Sequence, residues 1–305
     1  MSRRGWVLFA LMSVIWGIPY LMIKVAVEEV SAPVLVFART AVGAAILMPL
    51  AVRAGGLGVL RRHWKPLVLF AVIEMMVPWL LLTDAERHLS SSMAGLLVAA
   101  VPIIAVVVGK IAGDRERLGP LRWIGLLVGF AGVALLAAPH LTGGGFWPIV
   151  ELFIVALGYA TAPLLAARKL ANVPSMPMTA ACLSLAALVY APAAILTWPA
   201  AMPSGQALAA IGGLAVICTV LAFLVFFELI REVGPARATV FTYVNPAVAV
   251  VAGVVFLGEP LTPAIVAAFA LILGGSVLAT SRGSATARGT ARRKDTPMTA
   301  DRQPT

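Results

Sequence analysis

The chain has 305 residues, 61% of them hydrophobic and 12% charged, with a mean hydropathy of +0.99. That is too apolar for a soluble fold of this length and places the chain among all-α polytopic membrane proteins. The net charge of +10 does not indicate a nucleic-acid partner, because the basic residues sit at span ends and in one tail rather than on an aromatic-interleaved surface.

A helix needs about 20 apolar residues to cross a hydrocarbon core of about 30 Å. On that rule the sequence predicts ten spans, at 6–24, 33–52, 67–84, 89–110, 121–139, 147–166, 177–198, 207–230, 237–257 and 262–280. Arg3-Arg4 and the apolar run from Trp6 to Tyr20 read as the first span rather than a cleaved leader, since no small-residue cleavage site follows. The connections are short. Beyond Thr280 the chain becomes Arg-, Thr- and Gly-rich, and 282–305 reads as a disordered basic cytoplasmic tail.

With the N-terminus placed in the cytoplasm, all of the 23 lysines and arginines except Lys24, Arg39 and Arg87 fall on the inner side. This bias predicts a multi-pass membrane protein, expected in the bacterial inner membrane, with both termini cytoplasmic by the bias and its basic segments against anionic lipid headgroups.

The stretch beginning Pro102 recurs at Pro246. Ala105-Val106-Val107-Val108-Gly109 matches Ala249-Val250-Val251-Ala252-Gly253, and a turn containing Glu116 matches one containing Glu259. The same spacing pairs Pro19 with Pro163, Lys24 with Arg168, and Ser31 with Ser175. A fixed offset along nearly the whole chain is an internal repeat. It divides the chain into five-span units over 5–140 and 146–281. Five is odd, so the second unit enters the membrane from the opposite face. Inverted repeats around a midplane site are an architecture of secondary transporters.

Several motifs resemble the EamA-like branch of the drug/metabolite transporter superfamily. Trp16-Gly17 lies in the first span with Lys24 eight residues after the Trp. Phe256-Leu257-Gly258-Glu259-Pro260-Leu261 forms the family's Gly-Glu turn, and a Gly-rich helix follows. The first copy departs from the pattern, with Gly113-Asp114-Arg115-Glu116-Arg117-Leu118 carrying extra residues before the Glu. The second copy has Ala160 in place of Trp16. The resemblance implies ten helices around a central cavity and transport of small metabolites, often outward.

Polar and helix-breaking residues inside the spans are the candidate site. Pro19, Pro102, Pro163 and Pro246 each remove a helical hydrogen bond, so they fit either broken helices lining a pathway or packing kinks. Asn245 and Tyr243 place polar groups beside Pro246. Trp16, Tyr20 and Lys24 recur at four-residue intervals, which fits either a substrate-facing stripe or interfacial anchors. Arg39 lies about 9 Å inside the second span, and such a charge faces water or pairs, with Glu151 as one available partner. Glu74 is embedded in the third span about 10 Å from its end. It either binds a cationic group or coupling proton in the cavity, or bonds to Arg39 or a backbone donor. Trp79 and Tyr159 complete an expected aromatic lining. Glu116, Glu259 and the glycines 125, 129, 132, 274 and 275 read as structural.

The expected function is a secondary transporter that moves small metabolites, amino acids or similar amphipathic compounds, outward by alternating access, with protons as a candidate coupling ion. A channel-like or facilitative pore is the alternative. Neither a cofactor nor a metal is expected, and catalysis is not: there is no phosphate-binding loop, the three histidines lie in or beside loops, and Cys182 and Cys218 sit in apolar runs.

Overall fold

A computed structural model describes residues 1–55, 57–113, 118–140 and 145–280. Glu116 and the tail at 282–305 lie outside the described residues. Among those described, nine helices are long and apolar enough to cross a membrane. They are α1 (Arg3–Ala26), α2 (Ala32–Ala54), α3 (Trp64–Ala85), α4 (Ser91–Ile111), α5 (Pro120–His140), α6 (Phe146–Lys169), α7 (Ser175–Leu196), α8 (Gly205–Val233) and α10 (Pro263–Thr280); a shorter apolar helix, α9 (Asn245–Leu257), makes ten. The ninth expected span began at 237. The chain there instead forms a short helix, Pro235–Ala238, and a 3-10 turn, Thr239–Tyr243, before α9 starts. The physical reason is Pro246, which has no N–H to donate and so fits the first turn of a helix but not the interior of a longer one.

Local signals set most helix starts. Ser2, Ser31, Ser90 and Ser204 cap α1, α2, α4 and α8 by accepting the amides of Gly5, Val34, Met93 and Ala207. The helix of α9 ends at Gly258, which adopts the left-handed conformation at φ +65° and turns the chain into Glu259.

The packing carries the two-fold relation of the halves. α2 packs on α7, α4 on α9 and α5 on α10, each on its own repeat-mate. α3 packs on α6, and its counterpart α8 packs on α1. Exchanging every helix for its mate leaves these pairings unchanged, as two inverted five-helix repeats require. At the α5–α10 seam, a Cβ on Gly125 would overlap the Ala279 amide and one on Gly132 would overlap Ile272, so the glycines allow backbone approach. Gly274 differs from its expectation: it faces open space, and Gly275 alone makes the contact.

Three of the four prolines interrupt helices. α1 breaks at Trp16–Ile18 before Pro19, α4 at Ala99–Ala100 before Pro102, and α9 begins at Asn245 with Pro246 in its first turn. Pro163 does not, contrary to its expected role as a break, because α6 runs continuously from Phe146 to Lys169. There the Thr161 hydroxyl donates to the carbonyls of Leu157 and Gly158, at 2.8 and 3.1 Å, bracing the turn before the proline.

Glu259 joins the halves. Its carboxylate accepts the Ser91 and Ser92 amides at 2.7 and 2.9 Å and also the Ser92 hydroxyl, which caps α4 from the α9–α10 turn. Burial raises the Glu259 carboxyl, but the bonds from Ser92 and Ser91 outweigh it and hold it below the usual carboxylate range. Its stabilisation is therefore present at neutral pH and is lost as pH falls through the lowered value. Gly253 leaves the room for this clamp, since a Cβ there would collide with the Glu259 carboxylate and both serine hydroxyls. Gly253→Ala is expected to cost about 1–3 kcal/mol through overpacking. A thermal melt in detergent matching that of the native protein would show that the clamp has slack.

Candidate functional site

Glu74 and Cys218 are repeat-mates, and both sit in π-helical turns: Val72–Met76 in α3 and Val216–Leu221 in α8. A π-turn inserts one residue into the helical ladder and frequently marks a functional position. In α3 the bulge precedes Pro78, whose missing N–H leaves the Glu74 carbonyl without its helical donor. Tyr190 of α7 reaches the same bulge and donates to the Met76 carbonyl at 3.1 Å. In α8 the Thr219 hydroxyl donates to Leu214, five residues back, at 2.8 Å.

Arg39 reaches the α8 bulge from α2. Its Nε donates to Thr219 Oγ1 at 2.7 Å, one Nη contacts the Cys218 carbonyl at 3.4 Å, and the guanidinium stacks 3.7 Å above the Trp79 ring. The side chain is 8% exposed, and none of these partners carries a negative charge. The pairing with Glu151 considered from the sequence does not form. Arg39 is anchored instead by a hydroxyl, a carbonyl and an indole face, partners that hold a guanidinium in place without neutralising it.

Glu74 brings an acidic group to the same region. Its Oε2 is buried without a hydrogen-bond partner, and it makes no ion pair with Arg39. Tyr159 of α6 lies within electrostatic reach of Glu74, Arg39 and Tyr20, and against Trp79. Tyr159 also bridges the two largest apolar clusters. Tyr20, Arg39, Glu74, Trp79 and Tyr159 therefore converge from four helices, joined by Cys218 and Thr219 of α8. Sequence reasoning missed Thr219 as a contributor. Its only signal was adjacency to Cys218, the mate of Glu74.

The other expected residues lie elsewhere. Trp16, Tyr20 and Lys24 do not form one stripe, because the helix breaks between the first and second. Trp16 turns into an aromatic nest with Phe223, Phe226 and Phe241, at ring separations of 5.9, 5.1 and 5.4 Å. Lys24 donates to the carbonyls of Glu86 and Leu89 at 2.7 and 3.0 Å, capping the C-terminal end of α3. Tyr243 shares a hydrogen bond of 2.8 Å with Thr280 at the end of α10. The Asn245 amide, in the orientation its neighbours require, donates to the carbonyls of Phe241 and Ser13 at 3.1 Å each. It ties the broken start of α9 to α1.

Each end of the bundle carries exposed polar contacts. At the N-terminal end, Arg4 bridges to Glu228 at 2.9 Å, and Arg231 pairs with the same carboxylate at 2.6 Å. A cavity of about 340 Å³ opens beside them, lined by residues including Gly55, Pro177, Phe227 and Arg231. At the far end, Glu29 accepts the Ser204 hydroxyl and amide, at 2.5 and 2.6 Å, and these bonds lower its pKa.

Comparison with known proteins bears on what such a site handles. The EamA-like transporter family matches residues 3–138 and again 146–281. The chain is 32% identical over 283 residues to the "Uncharacterized inner membrane transporter YedA" of Escherichia coli K12, covering 90% of this chain and 89% of that protein. A protein of Streptantibioticus cattleyicolor named "Probable terminal-alkyne amino-acid exporter" is 27% identical over 92% of this chain and 95% of its own length. The "Aromatic amino acid exporter YddG" of Ancylobacter novellus is 29% identical over 75% of this chain and 80% of its own.

Proposed function

The chain belongs to the EamA-like transporter family of the drug/metabolite transporter superfamily, and from that premise we propose a secondary carrier that moves amino acids or similar small amphipathic metabolites outward by alternating access. It is a multi-pass transporter of the bacterial inner membrane rather than an enzyme. In this reading the N-terminal end of the bundle faces the cytoplasm, as the distribution of lysine and arginine favours.

The observation that carries the reading is a guanidinium without a carboxylate partner and a carboxyl oxygen without a hydrogen bond, brought to the centre of the bundle. Arg39 and Glu74 are each costly at membrane depth. Neither neutralises the other, and Tyr20, Trp79 and Tyr159 lie among them. A zwitterion resolves both costs: its carboxylate meets Arg39, its ammonium meets Glu74, and its side chain rests on the aromatic rings. Two relatives named as amino-acid exporters support the same substrate class. In this reading the polar contacts at the two ends serve as the gates that alternation requires.

Proteoliposomes test the proposal. Vesicles loaded with unlabelled phenylalanine are expected to accumulate labelled phenylalanine transiently, with saturable initial rates. Linear, non-saturating flux without counterflow indicates a pore. Counterflow of nucleosides but of no amino acid overturns the substrate class.

A further inference from the structure

Glu86 follows the last turn of α3 and is fully buried at 0% exposure, with neither carboxyl oxygen hydrogen-bonded. The neighbouring Ser91 hydroxyl, also 0% exposed, likewise has no partner. The cation positioned to neutralise Glu86 is Lys24 of α1, yet its ammonium is held by the backbone carbonyls of Glu86 and Leu89. The other ionisable groups facing Glu86 are Glu259, from the α9–α10 turn, and Tyr20 of α1. On its own segment Arg87 pairs with Asp84 at 3.8 Å, and both are partly exposed. An ionised carboxylate without hydrogen bonds in such a place carries a large desolvation penalty. Burial raises the Glu86 carboxyl well above its usual range. Lys24 opposes this and Glu259 adds to it.

Resting on the transporter reading, we infer that Glu86 is the proton-binding group of the transport cycle and operates the far-end gate through Lys24. With a proton on Glu86, Lys24 is free to clasp the two carbonyls that close the α3–α4 turn, and the far end is shut. When the proton leaves to water, the carboxylate recruits the ammonium, the carbonyls are released and the turn loosens. Ion-pair formation replaces two neutral-acceptor bonds, so one proton switches a contact that bridges α1 to the α3–α4 corner. Tyr20 lies within electrostatic reach of Glu86 on one side and of Tyr159 and Arg39 on the other. Occupancy of the central site and protonation of Glu86 are thereby linked.

Infrared difference spectra of the purified protein test the site without reference to any substrate. A protonated-carboxyl C=O component is expected to bleach as pH is raised, to persist in Glu74→Gln and to be missing from Glu86→Gln. Absence of a titrating band in the native protein overturns the proposal even if no variant folds, as does a Glu86→Gln spectrum that titrates with the full native amplitude. In proteoliposomes, Glu86→Gln holds the neutral state in which Lys24 keeps the far end shut, so it is expected to lose phenylalanine counterflow together with its acceleration by an inward proton gradient; native counterflow with native acceleration overturns the coupling role. Failure of counterflow in the native protein would count against the carrier reading alone, since the infrared titration is independent of transport.

Discussion

Replacing Arg39 with Lys is expected to weaken phenylalanine half-saturation in counterflow by about 10- to 150-fold, the equivalent of one charge-assisted hydrogen bond of about 1.5–3 kcal/mol. Lysine keeps the charge but loses the planar fork, the stack on Trp79 and the Nε bond to Thr219 that aim it. Arg39→Met removes the charge and is expected to abolish measurable counterflow. Thermal stability separates this from a structural role. A buried cation without a carboxylate partner costs energy, and an apolar residue of similar volume leaves stability unchanged or raises it. A second readout is the amide of phenylalanine, which lacks the carboxylate. The native protein is expected to discriminate against it, and Arg39→Met to lose that discrimination. A fall in melting temperature with unchanged half-saturation in Arg39→Lys would instead make Arg39 a strut between α2 and α8.

The fold was legible because membrane insertion simplifies the code. Apolar runs of fixed length give the spans, and the recurrence of Pro102 at Pro246 gives the two-fold relation that the α2–α7 and α5–α10 pairings display. The site was legible where a residue violates its surroundings. Arg39 and Glu74 are expensive in lipid wherever they point, and both reach the centre. Trp16 and Tyr243 were different. Aromatic residues are welcome in cores, interfaces and pockets alike, so nothing in their type told the Phe223–Phe226–Phe241 nest from a substrate wall. Periodicity misled at Trp16 because a four-residue spacing implies a shared face only while the helix continues, and Pro19 ends that continuity. Pro163 erred in the opposite direction: whether a proline breaks a helix or bends it depends on neighbours such as the Thr161 hydroxyl. The paired π-turns had no sequence signal beyond the pairing of Glu74 with Cys218. Lys24 fitted a substrate-facing stripe or an interfacial anchor, and nothing in the sequence marks Glu86, because a charge at a span end is ordinarily solvated and only the tertiary packing buries it.

Glu74→Gln keeps the shape of the side chain and removes its charge. The π-turn holding it is built from backbone geometry, Pro78 and the Tyr190–Met76 contact, none of which needs the carboxylate, so the variant is expected to reach the membrane at native levels. If the carboxylate receives the substrate ammonium, phenylalanine counterflow falls by about 10- to 150-fold, again one charge-assisted bond. The complementary probe is phenylpropionate, which has the carboxylate and ring but no amine. The native protein is expected to transport it poorly, because an unmatched buried carboxylate remains. Glu74→Gln narrows that gap, while Arg39→Met does not. The two variants thus fail on opposite ends of the same molecule, a pattern that general loss of packing does not produce. Native counterflow of phenylalanine in Glu74→Gln would remove the ammonium site and leave Arg39 as an anion anchor. A variant that keeps its affinity for phenylalanine but loses acceleration by a proton gradient would place the coupling proton on Glu74, overturning both the ammonium role assigned here and the assignment to Glu86.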